Sequence, residues 1–377
     1  MIDLSAFRIT SASLVVAFAV LLMALTAASA SRVDIYEITG VAVDKTAETA
    51  AAARDQALAE GEVSAFQRLL RRLTLTRDHG RLPDLTREEL VEFIKDFSVS
   101  NEKTSAVRYL ATLSFRFKRD AVRQLLEDFN IAFTETPSKS VLVLPVYQAA
   151  GALSLWDDPN PWRQAWTGNS LGSGIVPMVA PLGDLKDVGA IGPRQAVEGD
   201  RPRMNAIADR YDVQDVVVAF GQLRLDAAVA RQGLQVDVTR YGADPEPMTY
   251  TLDFRQDENE DLSGFLLRTA RAVAEEIEDQ WKQENLLRLD RPAVAAVAVP
   301  ITGLRDWLSV NQRLKCVPLI RRTEMVLMSL DEVRVNIHYV GEPEQLRVAL
   351  GQADLTLVRE GDEWVLYLAD VLPARDS

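Results

Sequence analysis

Length, composition and charge limit the classes of protein that this chain can belong to. Its 377 residues exceed the usual length of one compact domain and predict two or three units. A net charge of -13 argues against general binding to nucleic acid or to an anionic membrane surface, although local basic patches can still bind anions. Two histidines and one cysteine cannot build a Cys/His zinc site or an intramolecular disulfide. We therefore expect no cofactor and no metal site, and we expect Cys316 to be buried.

The first 30 residues have the pattern of an export signal. The apolar run over residues 11–27 precedes Ala28-Ser29-Ala30, a small-x-small pattern that signal peptidase accepts. We interpret residues 1–30 as a cleavable signal peptide and expect a periplasmic protein. The alternative is an uncleaved inner-membrane anchor, because the apolar run approaches the length of a membrane-spanning helix.

Hydrophobic periodicity predicts an N-terminal α+β domain over residues 31–136. The segment 33–44 is typical of a strand with a bulge at Gly40. Asp44 is expected to cap a long helix that ends near Leu73 and has a weak point at Gly61. The remaining predicted elements are a helix over 86–97, a strand over 107–117 with one buried side, a helix over 120–129 with Phe129 inward, and a strand over 131–135.

A middle α/β domain is expected over residues 137–290. It begins with the continuous apolar run 141–147, which predicts a strand covered on both faces. The segment 151–203 is rich in Pro, Gly and Asp. Regular structure then resumes with a helix over 203–211, strands over 215–225, 233–241 and 248–254, and a helix over 262–287.

The C-terminal domain is expected over residues 291–377. Its order of strand, helix, strand, strand, helix and strand matches a split βαβ sandwich, with a terminal hairpin across 360–362. Its first helix is expected to bury Leu304, Trp307, Leu308 and Leu314. The predicted fold class is therefore α+β, with three small domains of mixed or antiparallel sheets covered by helices.

Three blocks of sequence carry a family resemblance. They are VDIYEITGVAVD, YLATLSFRFKRDAVRQLL, and VLVLPV followed by LWDDPNPWRQAW. Together they resemble the exported proteobacterial family called domain of unknown function 2066, over roughly residues 33–281. The middle domain is similar, more loosely, to the N-terminal domain of the translocation protein TolB and to the middle domain of the flagellar assembly protein T. The resemblance implies a periplasmic module that binds other envelope proteins, and it implies no catalytic residues.

Two motifs suggest catalysis but lack its context. Residues 168–172 match the G-x-S-x-G pattern, yet no strand precedes Ser170 and no helix follows it. The order of a catalytic triad leaves only His338 as a base, and His338 lies on the polar face of a strand in another domain. Asp157 and Asp158 are adjacent and precede Pro159, which is typical of a turn and not of an acid/base pair. We therefore expect no catalytic residues.

Two groups of side chains are candidates for partner binding. Trp156, Trp162 and Trp166 can stack on a sugar or a peptide, but a short helix would also bury Trp162 and Trp166 on one face. A basic cluster can contact lipid phosphates, lipopolysaccharide or an acidic partner. Its alternative is a solvated helix face with ion pairs. The cluster consists of Arg68, Arg71, Arg72, Arg77 and Arg81, with His79.

The sequence as a whole favours a non-enzymatic periplasmic protein with an assembly or scaffold role in the envelope. Its partners are expected to be envelope proteins and not nucleic acid, and it would touch the membrane only through an uncleaved signal segment. Exposed strand edges are the natural docking surfaces, by strand addition. The alternative is an envelope hydrolase or carbohydrate-binding protein that uses residues 156–174. That alternative needs a cleft with convergent polar groups.

Overall fold

The fold is α+β, as the sequence predicts, and it contains three sheets. The structure is a computed structural model that describes residues 34–167, 174–226, 231–242, 246–287, 292–361 and 363–369. The predicted signal peptide and the serine motif at residues 168–172 lie outside these described residues. Within the described ranges, no helix is long and apolar enough to cross a membrane.

The first sheet is a three-stranded antiparallel sheet covered by one long helix. Its strands are β1 (Glu37–Thr46), β2 (Ile94–Thr104) and β3 (Arg108–Phe117), in the order β1-β3-β2, and the helix is α1 (Ala50–Leu73). The predicted bulge in β1 is confirmed, because the register shifts between Ile38 and Val41 and Gly40 has a φ of 69°. The alternation in β3 is also confirmed, with buried side chains at Tyr109, Ala111, Leu113, Phe115 and Phe117.

Helix α1 begins later than predicted, and its glycine has a packing role. The predicted cap at Asp44 is wrong, because pairing with β3 extends β1 to Thr46. Thr49 caps the helix instead, and its Oγ1 accepts the Ala52 N–H at 3.1 Å. The predicted weak point at Gly61 is a close contact, since a Cβ there would meet Leu113 Cδ1 at 2.5 Å. Gly61 therefore allows α1 to lie against β3.

Three predictions for this region are wrong. The helix expected over 86–97 is limited to α2 (Arg87–Leu90), because the ladder with β3 holds the chain as β2 from Ile94. Residues 131–135 form one bridge, between Phe133 and Thr74, and no strand. Phe129 follows helix α3 (Arg119–Asp128) and is 47% exposed, although it was expected to face inward.

The second sheet is mixed, with parallel pairing of β4 to β7 and β8, and antiparallel pairing from β8 to β10. Its strands are β4 (Val141–Leu144), β5 (Tyr147–Ala149), β6 (Ala152–Ser154), β7 (Met178–Val179), β8 (Asp215–Asp226), β9 (Arg231–Tyr241) and β10 (Met248–Arg255). The helices of this region are α4 (Pro161–Trp166), α5 (Leu185–Ala190), α6 (Pro193–Glu198), α7 (Arg201–Arg210) and α8 (Leu262–Glu284).

Helices cover both faces of this second sheet. Val141 and Val143 belong to the same core as residues of α8, whereas Leu142 and Leu144 pack with Met204 and other residues of α5 to α7. All four residues of β4 are buried, which confirms the prediction of a strand covered on both faces for residues 141–144, but the predicted strand 141–147 is interrupted at Pro145 and β5 begins at Tyr147. The core that includes α8 is continuous with the core under the first sheet.

The third sheet has five strands and its own core. Its elements are β11 (Pro292–Pro300), α9 (Leu304–Leu314), β12 (Ile320–Met328), β13 (Glu332–Val340), α10 (Pro343–Gln352), β14 (Leu355–Glu360) and β15 (Glu363–Leu368). The strand order is β12-β13-β11-β15-β14, so the hairpin places β15 between β11 and β14. In addition to the four strands of the split βαβ pattern, β15 is a fifth strand, and it runs parallel to β11.

Three side chains of this third region are more exposed than predicted. Leu304 and Leu308 of α9 are exposed, whereas Trp307 and Leu314 are buried as expected. Cys316 is also exposed, in contrast to the prediction of a buried thiol. It follows α9 directly, in the turn before β12, where no neighbouring layer covers it.

Candidate functional site

The structure places two of the three candidate tryptophans inside the core. Asn160 caps α4 by accepting the Arg163 N–H at 3.0 Å, and Pro161 opens the helix. Trp162 and Trp166 then lie on one face, with their rings edge to face at 5.7 Å between centroids. Trp162 is 0% exposed and Trp166 is 3% exposed, so neither presents a stacking face to solvent. Their burial favours the packing alternative over stacking on a partner.

The other candidates with a described position have the following surroundings. Trp156 is half-buried, and its Nε1 donates to the Ile191 carbonyl at 2.7 Å. Asp157 and Asp158 are both exposed. His338 lies on β13 with its Nε2 at 3.4 Å from Glu324 of β12, whereas Ser170 lies outside the described residues.

The basic candidates line a cavity of about 390 Å³ between α1 and α8. Arg68, Arg71 and Arg72 reach it from α1, and His79 reaches it from the turn after that helix. Arg77 and Arg81 are not part of its lining and lie close to Asp78 instead. The sequence therefore predicted half of the site, since α8 contributes further charged residues to the same cavity. Those residues are Arg271, Glu275, Glu278 and Lys282.

Backbone carbonyls hold two of the cations in fixed positions. Arg72 donates through Nη1 to the carbonyls of Ile35 at 3.0 Å and Glu37 at 2.7 Å. Lys282 is 3% exposed, and its ammonium donates to the carbonyls of Arg71 at 3.1 Å and Thr74 at 2.9 Å. The carbonyls of Arg71 and Thr74 lie at the C-terminal end of α1, where the helix dipole favours a positive charge. Lys282 therefore joins α8 to α1.

Burial outweighs the nearby cations at Glu278 and raises the pKa of its carboxyl group to about 7. Lys282 and Arg72 act in the opposite direction, with the Lys282 ammonium 3.8 Å from the Glu278 carboxylate. Asp279 and Glu275 raise the pKa further. The Glu278 carboxyl group therefore keeps its proton to a higher pH than an exposed glutamate does.

We expect Glu278 to make the free energy of unfolding fall between about pH 4.5 and pH 7. In this range the folded state retains a proton that the unfolded chain releases, so the stabilising contribution of Glu278 is fully present below pH 4.5 and is lost as the pH rises through about 7. The full effect is up to about 3 kcal/mol. Urea unfolding at pH 5 and pH 8 should show a smaller decline for Glu278→Gln than for the wild type. Glu88→Gln, on the exposed surface of α2, is the control, and an equal decline in all three proteins would contradict the assignment.

A second surface stands out at the edge of the third sheet. Strand β12 is the first strand of this sheet, and its outer backbone edge pairs with no strand among the described residues. Four successive apolar side chains at its end are exposed, from 41% at Met328 to 60% at Val326. Leu330, just beyond the strand, is 94% exposed. Contiguous apolar exposure of this kind marks interaction surfaces in soluble proteins.

Two other edge strands are mainly polar, with one exposed large apolar side chain each, Phe97 on β2 and Met248 on β10. Strand β2 carries charged side chains, and its Asp96 pairs with Arg116 of β3 at 2.7 Å. On β10, Thr249 and Thr251 are hydrogen-bonded across the sheet to Thr239 and Asp237. A run of four exposed apolar side chains is therefore a feature of β12 and not of β2 or β10.

Among the residues that the structure describes, no group of three or more His, Cys, Asp or Glu side chains is arranged to hold a metal ion. No protein-family model and no curated protein matches this chain. Among solved structures, it is similar to the PelC dodecamer from Paraburkholderia phytofirmans at 13% identity and a TM-score of 0.24. That match covers 38% of this chain and 90% of the PelC chain.

Proposed function

We propose that this chain is a non-enzymatic periplasmic protein that holds another envelope protein through the edge of strand β12. The single observation that carries the proposal is the exposed apolar edge at Met325, Val326, Leu327 and Met328. The export signal and the family resemblance seen in the sequence support the envelope as its location. An extended segment that adds to a free sheet edge gains main-chain hydrogen bonds, and its side chains meet those of the edge strand.

The side chains of β12 and their charges also indicate what kind of segment would bind. An apolar stretch fits Met325 to Met328, and acidic residues at one end would face Arg321 and Arg322, which are both exposed. The register of β12 against β13 shifts between Met325 and Leu327. Such an irregularity limits the length of any strand that pairs with β12. The occupant that we propose is therefore a short segment of a different protein, apolar at its centre and acidic at one end.

We expect a single lysine on β12 to abolish this association. Leu327→Lys introduces a charge that must be desolvated in the complex, so recovery of the partner should fall by tenfold or more. The measurement is purification of the tagged chain after brief chemical crosslinking of intact cells, followed by quantitative mass spectrometry.

The matched control is Thr249→Lys on the polar edge strand β10, which should recover the same partner as the wild type. Circular dichroism and urea unfolding of both variants check that each one folds. Equal recovery with Leu327→Lys, or recovery of crosslinked copies of this chain alone, would contradict the proposal.

A further inference from the structure

The cavity between α1 and α8 collects positive charge without matching ion pairs. Arg68 and Arg71 lie one turn apart on α1, and Arg271 lines the same cavity from α8. Over the described part of the chain, none of these three guanidinium groups forms an ion pair, and only Arg68 has a side-chain hydrogen bond, to the Thr39 carbonyl at 3.4 Å. Like charges around one cavity repel each other unless an anion lies between them.

Two further cations, Arg72 and Lys282, add to the excess of positive charge around the cavity. Arg72 and Lys282 are held in position by backbone carbonyls, and Lys282 also lies 3.6 Å from Asp279 and 3.8 Å from Glu278. Five cationic side chains and two carboxyl groups line the cavity, and burial raises the pKa of one of these carboxyl groups, Glu278, to about 7. The cavity therefore has a net positive charge in a protein whose overall charge is -13. Such a site attracts anions locally, although the net negative charge of the whole protein repels them.

The donor set fits a phosphate group better than a carboxylate. A phosphomonoester offers three peripheral oxygens and nearly two negative charges, which suits guanidinium groups that approach from two helices. Glu278 lies on the same wall, and its carboxyl group offers an O–H donor whenever it is protonated. The volume of about 390 Å³ lies in the range of small-molecule sites, and Ile38 and Ala274 supply an apolar wall.

We propose that this cavity binds a phosphomonoester, with the phosphate held by Arg68, Arg71 and Arg271 and the carbon skeleton against Ile38 and Ala274. This binding site is separate from β12 and does not depend on the proposed docking function. Soluble sugar or glycerol phosphates and the headgroup of phosphatidic acid share the required chemistry.

Calorimetric titration of the full chain with glycerol 3-phosphate tests the site. We expect binding that weakens about tenfold or more in Arg271→Gln and in Arg71→Gln, since each removes a charged hydrogen-bond donor. Arg305→Gln, an exposed arginine of α9, should leave the affinity unchanged. The proposal is overturned by absent binding at millimolar concentrations, by equal affinity in all variants, or by equal affinity for sulfate, which lacks the ester.

The two histidines give a readout that separates the cavity from other surfaces. Burial, Lys282 and Arg71 lower the pKa of His79, so an anion in the cavity should raise it. His338 lies on the third sheet beside Glu324 and is the internal control. NMR titration of both imidazoles with and without glycerol 3-phosphate should move only the His79 midpoint. No movement, or equal movement of both midpoints, would contradict the assignment.

Vesicles distinguish the two sources of the phosphate. Cosedimentation with phosphatidylcholine vesicles that contain phosphatidic acid, lost in Arg271→Gln, would identify a lipid headgroup. Binding of glycerol 3-phosphate without binding to these vesicles would identify a soluble ester. Vesicle binding that Arg271→Gln leaves unchanged, together with no binding of glycerol 3-phosphate, would refute the cavity as a phosphate site.

Discussion

Replacing Trp162 with alanine is expected to lower the free energy of unfolding by about 3–5 kcal/mol. The side chain is 0% exposed and packs edge to face against Trp166. Its Nε1 also donates to the Ala219 carbonyl of β8 at 3.0 Å. Gly221, two residues later on β8, makes room for the indole, since a Cβ there would lie 3.2 Å from Trp162 Cε2. The alanine variant therefore loses packing on all sides and leaves a buried carbonyl unpaired.

Urea unfolding followed by circular dichroism measures this loss. Trp156→Ala is the control, because Trp156 is half-buried and its removal should cost clearly less. The comparison also decides between core packing and ligand stacking for this aromatic cluster. A Trp162→Ala variant as stable as Trp156→Ala would show that the indole is not a core side chain.

Removal of Arg123 is the second change with a large expected effect. Glu135 is 0% exposed, and its carboxylate accepts hydrogen bonds from Arg123 Nε at 2.5 Å, from Arg123 Nη2, and from the Tyr36 hydroxyl. In Arg123→Leu this carboxylate would stay buried without its cation, which typically costs 3–5 kcal/mol. Arg123 Nη2 also donates to the Pro318 carbonyl at 3.4 Å, so the substitution also removes a hydrogen bond to the segment between α9 and β12.

A double variant separates the ion pair from simple packing. Arg123→Leu combined with Glu135→Leu removes both charges, and we expect it to recover most of the lost stability. Thermal and urea unfolding of the wild type, both single variants and the double variant complete the cycle. If the double variant were as unstable as the sum of the single variants, the pair would contribute no coupling and the account would be wrong.

Local patterns in the sequence were sufficient to predict most helices and strands. The alternation in β3, the continuous apolar run of β4 and the terminal hairpin depend on neighbours in sequence, and all three are observed. Strand β2 was missed because its residues have little apolar alternation, and its conformation depends on the ladder with β3. The position of β15 was missed for a similar reason, since strand order is a long-range property.

The candidate sites were predicted only in part. The basic residues of α1 were visible as a cluster, but Arg271 and Lys282 are about 200 residues away in sequence and join them only through the packing of α8 on α1. For β12, the sequence predicted a strand. It could not predict that the apolar side chains at the end of this strand are exposed, because that exposure depends on the sheet order and on where the helices lie.

The most direct test of the proposed docking edge is site-specific photo-crosslinking in intact cells. A photoreactive residue is placed at position 327 on β12 in one variant and at position 249 on β10 in another. We predict an adduct with a different envelope protein from position 327 only, with the crosslink in an extended apolar segment of that protein. An adduct from position 249 alone, an adduct between two copies of this chain, or no adduct from position 327 would contradict the account.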